Sequence, residues 1–388
     1  MHAALGTTGD TVAVIIAARA IRPLFQPIVD LDTRSVIGLE ALARGPAGSA
    51  LEFPDRLFDA AHAAGRLGEL DMLCAERALE CAVTAEHPPP VLFVNAEPGV
   101  LDQPLSPRLL ELVAAGLPFR EVLEFTERAL AAVPGSLLRI AAGVQRFGNA
   151  LALDDVGADP ISLALVPVLE PEVIKLDMHL LRNPASPHTR TVSAVVRAEA
   201  ARTGAAIVAE GIETEADLGT ARALGARWGQ GWLFGRPAPL GAVRHRYDPD
   251  AATALRPPRP DFHLPAADPF PLAAQRGPAT PADLDAVQAA VAVLRDTVAA
   301  DDTAILIASG PDPAPAGVTG SLDELLGQAR SVILLDRPVP DEFTAVVIGA
   351  GYGRAVAIRL GADARLITLD RLPDVAAIAR ALLARHGR

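Results

Sequence analysis

From Pro23 to about Leu240, short apolar runs rich in β-branched residues alternate with longer stretches whose apolar positions recur at helical spacing. The runs are Pro23 to Asp30, Ser35 to Leu42, Pro90 to Asn95, Glu121 to Thr126, Ala150 to Asp155, Glu172 to Asp177, Ala205 to Glu210 and Arg227 to Gly231. Helical stretches fall between them at Pro54 to Arg66, Leu70 to Ala85, Ser106 to Ala115, Gly135 to Phe147, Thr189 to Thr203 and Glu215 to Leu224. This alternation predicts βα units around a mainly parallel sheet, because parallel strands need a crossover between them. Eight such runs suit a closed α/β barrel. The first two are joined by Leu31-Asp32-Thr33-Arg34 alone. Only a hairpin can use so short a connection, so the first strand is expected to run against the others.

Beyond Pro239 the pattern breaks. Residues 246–283 carry Arg256-Pro257-Pro258-Arg259-Pro260 and then Pro265, Pro269, Pro271, Pro278 and Pro281, the composition of a semi-rigid linker. From Leu284 onward apolar runs resume at Ala304 to Ala308, Val332 to Leu335, Thr344 to Ile348 and Arg365 to Leu369, with a closing helix near Pro373 to Arg385. The expected organisation is a barrel over 1–245, a linker over 246–283 and a smaller α/β module over 284–388. Gly349-Ala350-Gly351-Tyr352-Gly353 follows an apolar run and has Asp370 downstream, in the manner of a dinucleotide-binding turn, but Arg354 stands where the third glycine belongs.

Composition narrows the chemistry. A chain of 388 residues, half of them hydrophobic, exceeds one ordinary domain. A net charge of −12 repels polyanions and argues against a nucleic-acid polymer as partner, so a phosphate ligand has to be captured by local groups. Cys74 and Cys81 share one helical face two turns apart and are expected as buried thiols, not as a disulfide or a metal clip. No apolar run reaches the roughly 18 residues of a membrane span, and Thr11 to Ala20 is too short and lacks a cleavage-site pattern. No membrane contact and a cytoplasmic location are expected.

The informative polar residues sit at strand ends. Glu40, Asn95, Glu124, Asp154, Asp155, Lys175, Glu210 and Gln230 fall at or just past the carboxyl ends of seven different runs. In a (β/α) barrel those ends converge on one face. One carboxylate there is an ordinary helix cap. Several meeting in one mouth raise each other's pKa and call for a compensating cation. Carboxylate and amide oxygens without Cys or His select Mg2+ or Mn2+ over zinc, and the Lys175 amine adds a group able to orient and help deprotonate a water.

The same residues lie in blocks that resemble the EAL-domain cyclic di-GMP phosphodiesterases. Gln26-Pro27-Ile28-Val29 is similar to the family's Q-P-I-V strand and Glu40-Ala41-Leu42-Ala43-Arg44 to its E-x-L-x-R signature. Val94-Asn95, Glu124-Phe125-Thr126-Glu127, Asp154-Asp155-Val156-Gly157, Lys175-Leu176-Asp177, Ala209-Glu210-Gly211-Ile212-Glu213 and the segment from Gln230 to Pro237 follow in the family's order. The resemblance implies a TIM-like (β/α)8 barrel with an antiparallel first strand, and a homodimer that binds cyclic di-GMP and hydrolyses it to linear pGpG. It implies that Glu40, Asn95, Glu124, Asp154 and Asp155 hold one or two Mg2+ or Mn2+ ions. Lys175 and Glu210 would act on the attacking water beside Glu40, and Gln26, Leu42, Arg44, Gln230 and Pro237 would contact or support the nucleotide. Glu127, Asp177 and Glu213 would support these groups, Glu127 and Glu213 by holding the loop after Asp155.

Three features depart from that pattern or lie outside it. Val156-Gly157-Ala158-Asp159-Pro160-Ile161-Ser162 stands where the family has F-G-T-G-Y-S-S. Asp159 replaces a flexible glycine and Pro160 restricts it further, so a stiffer, differently placed loop is expected. A receptor that binds cyclic di-GMP without useful turnover is the alternative to the enzyme, and another metal-dependent barrel hydrolase would keep the site and change the substrate. Gly45 stands where the family often carries an aromatic residue, which is expected to weaken one wall of the pocket. The segment Asp341 to Arg385 resembles the DICT sensory modules in its order of strand, Gly-Ala-Gly-Tyr, helix, strand and closing helix, and implies a regulatory input.

Overall fold

The structure, a computed structural model, describes residues 8–97, 103–159, 161–242, 245–310, 319–335 and 339–385. Eight strands close into a barrel in chain order: β1 (Arg22–Asp30), β2 (Val36–Arg44), β3 (Val91–Asn95), β4 (Arg120–Thr126), β5 (Ala150–Val156), β6 (Val173–Leu176), β7 (Ala206–Ala209) and β8 (Trp228–Gln230). β1 lies antiparallel to both β2 and β8, and the remaining pairs are parallel. The reversed first strand expected from the short connection is therefore present. Its turn is made locally: the Asp30 carboxylate accepts the amides of Asp32 and Thr33 at 3.0 Å each, and Arg34 takes φ 61°.

Alternation along the strands builds the site. Ile28, Val91, Phe93, Val122, Ala150, Ala152, Val173, Val208 and Trp228 form one buried cluster that fills the barrel. Successive side chains on a strand point to opposite faces. The positions two residues beyond the last of these on β3 to β8 are therefore aimed at the same space, at its upper rim. Those positions are Asn95, Glu124, Asp154, Lys175, Glu210 and Gln230. The hydrophobic filling of the barrel and the polar mouth are thus one pattern.

A second sheet has the order β11-β10-β12-β13-β14-β9, with β9 (Thr280–Pro281), β10 (Ile305–Ser309), β11 (Ser331–Leu334), β12 (Glu342–Gly349), β13 (Tyr352–Arg359) and β14 (Arg365–Leu369). One face, with Leu306, Ala345, Val347, Val356 and Ile358, packs on the helix Leu284–Ala300. The other, with Ile307, Val346, Ile348, Ala355 and Ala357, shares a cluster with the helix Leu372–Leu383 and with Leu163 to Leu169 of the barrel. The residues after Gly349 are not helical. Gly349 pairs with Tyr352 across a tight turn, Gly351 takes φ 86°, and the chain runs directly into β13. A dinucleotide-binding turn needs a helix N-terminus after its glycines, so that reading is excluded. The strand–helix order of the DICT likeness is likewise not the one this segment adopts. The central residues of β13, Ala355 to Ile358, are buried on both faces, and the strand lacks the alternation that marks a half-exposed strand.

The proline-rich segment 246–283, expected as a linker, is divided between the two units: residues 252–259 lie against the barrel floor, whereas the helix Pro269–Ala274 and β9 pack with the second sheet. Arg120 at the start of β4 donates to the carbonyls of Ala252, Leu255 and Arg256 at 3.2, 3.0 and 2.6 Å. Arg256 reaches Glu172 at 2.5 Å and Arg259 reaches Glu170 at 2.9 Å. Cys74 and Cys81 are free thiols, partly rather than fully buried. No helix among the described residues is long and apolar enough to cross a membrane.

Candidate metal centre

Two half-sites meet at Lys175. On one side Asn95 Nδ2 donates to Glu40 Oε1 at 2.9 Å, which leaves the amide oxygen of Asn95 as a possible ligand. Gln230 Nε2 donates to Glu40 Oε2 at 2.6 Å and to Gln26 Oε1 at 3.1 Å, and Gln26 in turn donates to the Gly235 carbonyl at 3.0 Å. On the other side Asp154, Asp155 and Glu210 offer carboxylate oxygens within 4.8 Å of one another. The fully buried Lys175 ammonium joins the halves, 2.9 Å from Glu210, 3.0 Å from Glu124, 3.1 Å from Asp154 and 3.6 Å from Glu40.

The donor set fits a hard divalent cation. Glu40, Glu124, Asp154, Asp155 and Glu210 face a single ammonium, which leaves a surplus of negative charge. Among the described residues neither oxygen of buried Glu124 receives a directed hydrogen bond, although Lys175 lies 3.0 Å from one of them. An unsatisfied buried carboxylate is costly unless it coordinates an ion. The titration behaviour agrees. Burial, with the charges of Glu40 and Asp154, pushes Glu124 well above the usual carboxylate range. Burial and Asp154 push Glu210 up to about 8, and burial with Asp154 and Asp177 raises Asp155. Glu40 is held down: its burial is outweighed by Lys175 and by hydrogen bonds from Gln230 and Asn95. Lys175 is held protonated, since Asp154, Glu124, Glu210 and Glu40 outweigh the cost of burying its charge. It is therefore a donor and not a proton acceptor.

Beside Glu40, Asn95 and Glu124 opens a cavity of 330 Å³ whose walls include Leu42, Arg44 and Thr126. Of the residues expected to contact a ligand, Leu42 and Arg44 line this cavity. Gln26 and Gln230 stand behind Glu40, and Pro237, next to the Ala238 that pairs with Phe25, is not among its walls. Gly45, expected to weaken one wall, is not among the residues lining the cavity, whereas Pro54, Asp55 and Phe58 are. A Cβ at Gly45 would lie 2.1 Å from the Leu51 carbonyl, so glycine is required by the returning chain. Glu127 supports the loop as expected, accepting from the amides of Gly157 (2.9 Å) and Asp159 and from Ser162 Oγ (2.6 Å). Positive φ falls on Asp155 (56°) and Gly157 (110°), not on Asp159, in keeping with the restriction read there. Glu213 does not hold this loop; it is exposed and pairs with Arg182 at 3.2 Å. Asp177 caps the helix Met178–Arg182 through the His179 amide at 2.6 Å. Three acidic cavity residues lie outside the sequence expectations, Asp55, Asp71 and Glu97, and of these Asp71 alone is buried. Asp71 lines the wall, only 7% exposed, accepts the Glu97 amide at 3.3 Å, and is pushed up to about 7 by burial. The signal was available, because Asp71 sits among Leu70 and Leu73 on the buried face of its helix, where a carboxylate calls for a reason.

A closed barrel with one reversed strand and a mouth of carboxylates, two amides and one lysine defines a (β/α) barrel with a polar, predominantly acidic mouth. Residues 11–237 match the EAL domain, and over that span the chain belongs to the EAL domain family. It is 30% identical over 227 residues to the probable cyclic di-GMP phosphodiesterase PdeB of Escherichia coli, covering 55% of this chain and 42% of that protein. It is 31% identical over 247 residues to the cyclic di-GMP phosphodiesterase NbdA of Pseudomonas aeruginosa, covering 60% and 31%. The chain thus spans less than half the length of these curated relatives. Among solved structures, the PaMucR phosphodiesterase in complex with c-di-GMP superimposes with TM-score 0.53 at 21% identity, over 61% of this chain and 98% of that one. The FimX EAL domain of Pseudomonas aeruginosa bound to c-di-GMP gives 0.52 at 21%, over 60% and 97%. These two likenesses establish the fold.

Proposed function

We propose that this chain hydrolyses cyclic di-GMP to linear pGpG with Mg2+ or Mn2+ held by Glu40, Asn95, Glu124, Asp154 and Asp155. The observation that carries the reading is the burial of Lys175 among four carboxylates beside a cavity walled by Arg44. Family membership and the printed activities of PdeB and NbdA support the substrate. When bound, the cation would make a water nucleophilic near neutral pH and neutralise charge on the phosphodiester. The chain's own groups do the rest. Arg44 offers a planar donor fork to a phosphate or a guanine. Lys175, always charged, orients and stabilises the attacking oxygen, and Glu210, titrating at about 8, is suited to take up its proton. Asn95 and Gln230 fix the Glu40 carboxylate through their hydrogen bonds.

We assign this activity to the cytoplasm. The homodimer that the family resemblance implies would use a face other than Val166–Leu169, which the chain's own helix Leu372–Leu383 covers. Incubation of the full chain with cyclic di-GMP and Mn2+ is expected to release pGpG, and Lys175→Ala to abolish it. Tight nucleotide binding without pGpG from the wild type would make the chain a receptor instead.

A further inference from the structure

The chain between β5 and β6 runs from the acidic mouth to the C-terminal module. Asp154 and Asp155 lie near the end of β5, and the residues that follow are held by other residues of the barrel domain: the Gly157 carbonyl accepts from His188 at 2.6 Å and Ser162 Oγ donates to Glu127. There follow one 3-10 turn, Ser162–Ala164, and one helical turn, Val166–Leu169, with Leu163, Leu165, Val166 and Leu169 no more than 2% exposed. A helical turn of four residues has no partners of its own for its last carbonyls and cannot shield its own apolar side chains. Both needs are met from outside the barrel. The helix Leu372–Leu383, buried from Val375 to Leu383, lies between this turn and the second sheet. Its Arg380, 5% exposed, donates to the carbonyls of Val168 at 2.8 Å and Pro167 at 3.2 Å. His263, from the proline-rich strap, donates to the third, Leu169, at 2.8 Å. Arg380 also lies 3.7 Å from Glu170 and 3.6 Å over the Phe262 ring.

We propose that the C-terminal module is a positioning element for the metal centre: Arg380 fixes the turn Val166–Leu169, and the turn fixes the loop that sets Asp154 and Asp155. Arg380 touches neither ligand nor reacting atoms. It acts through backbone carbonyls, as groups that orient metal ligands from behind commonly do. The proposal rests on the reading of the acidic mouth as a metal centre.

The test uses the full chain and Mn2+ alone, read by calorimetry and by amide hydrogen exchange. Arg380→Met is expected to weaken Mn2+ binding about tenfold and to speed exchange over residues 163–169. Arg380→Lys should recover part of both, and Leu334→Ser, at an exposed module position, should change neither. An Arg380→Met protein that melts lower yet binds Mn2+ like wild type would show a merely structural role and overturn the proposal. Should Arg380→Met fail to fold, His263→Phe, which loses one carbonyl bond, carries the same expectation. In the unaltered protein, linkage requires the reciprocal effect: Mn2+ should slow exchange beyond residue 162 and into 372–383. Protection that stops before Ser162 would count against the coupling. A wild-type chain that binds no Mn2+ would remove this proposal together with the metal-centre reading, whereas normal Mn2+ binding with unaltered variants removes the proposal alone.

Discussion

Replacing Lys175 by methionine removes the one ammonium from the mouth while keeping most of the side-chain volume. Lys175 is fully buried and lies within 3.1 Å of Glu124, Asp154 and Glu210. Removing one partner from a buried ion cluster costs about 3–5 kcal/mol, since the remaining charges are left uncompensated. At roughly 2–4 °C per kcal/mol for a domain of this size, metal-free Lys175→Met should melt on the order of 10 °C below wild type at pH 8.5. The pH dependence has a definite sign. The folded-state pKa values of Glu124 and Glu210 are raised, Glu210 to about 8, by burial and then by neighbouring like charges. Stability from their protonation is present below the unfolded value and lost as pH rises through the folded one. At pH 5.5 protons therefore stand in for part of the missing ammonium, and the deficit should shrink. Mn2+ should restore the melting point at pH 8.5, by taking the same position in the charge balance. Circular dichroism melts of both proteins in EDTA and in Mn2+ at the two pH values decide the matter. A variant as stable as wild type in EDTA at pH 8.5, or a deficit indifferent to pH, would refute the electrostatic account.

Other expectations follow from the same reasoning. Burial pushes Glu121 up to about 7, so its contribution is complete below about pH 4.5 and lost as pH rises through 7, a swing of about 3 kcal/mol. Glu121→Gln should flatten the fall in urea-unfolding free energy between pH 5 and 8, and an unchanged slope would contradict the assignment. Asp71→Ala should weaken cyclic di-GMP binding by about 1–2 kcal/mol, a buried carboxylate's hydrogen bond being worth that much, while leaving Mn2+ affinity unchanged. Equal nucleotide affinity would take Asp71 off the ligand wall.

The sequence alone determines whatever repeats at short range. The reversed strand follows from a four-residue connection, and the acidic mouth follows from strand parity, since Asn95, Glu124, Asp154 and Lys175 each come two residues after a lumen-filling side chain. Glu127 was legible through its motif. Glu213 was misread in the same way, because a motif gives position along the chain and not which of two neighbouring loops the side chain reaches.

The remainder depended on distant segments meeting. Residues 246–283 have the composition of a spacer, yet Arg120, Glu170 and Glu172 bind residues 252–259 to the barrel floor. β13 is a strand because both its faces are covered, one by the helix Leu284–Ala300 and the other by the helix Leu372–Leu383. Arg380 and the carbonyls of Pro167 and Val168, more than two hundred residues apart, meet only in the folded chain. Local pattern sets which side chains can face inward. Which buried donor finds which orphan carbonyl is settled by packing, because a buried polar group accepts whatever partner the tertiary fold brings within reach.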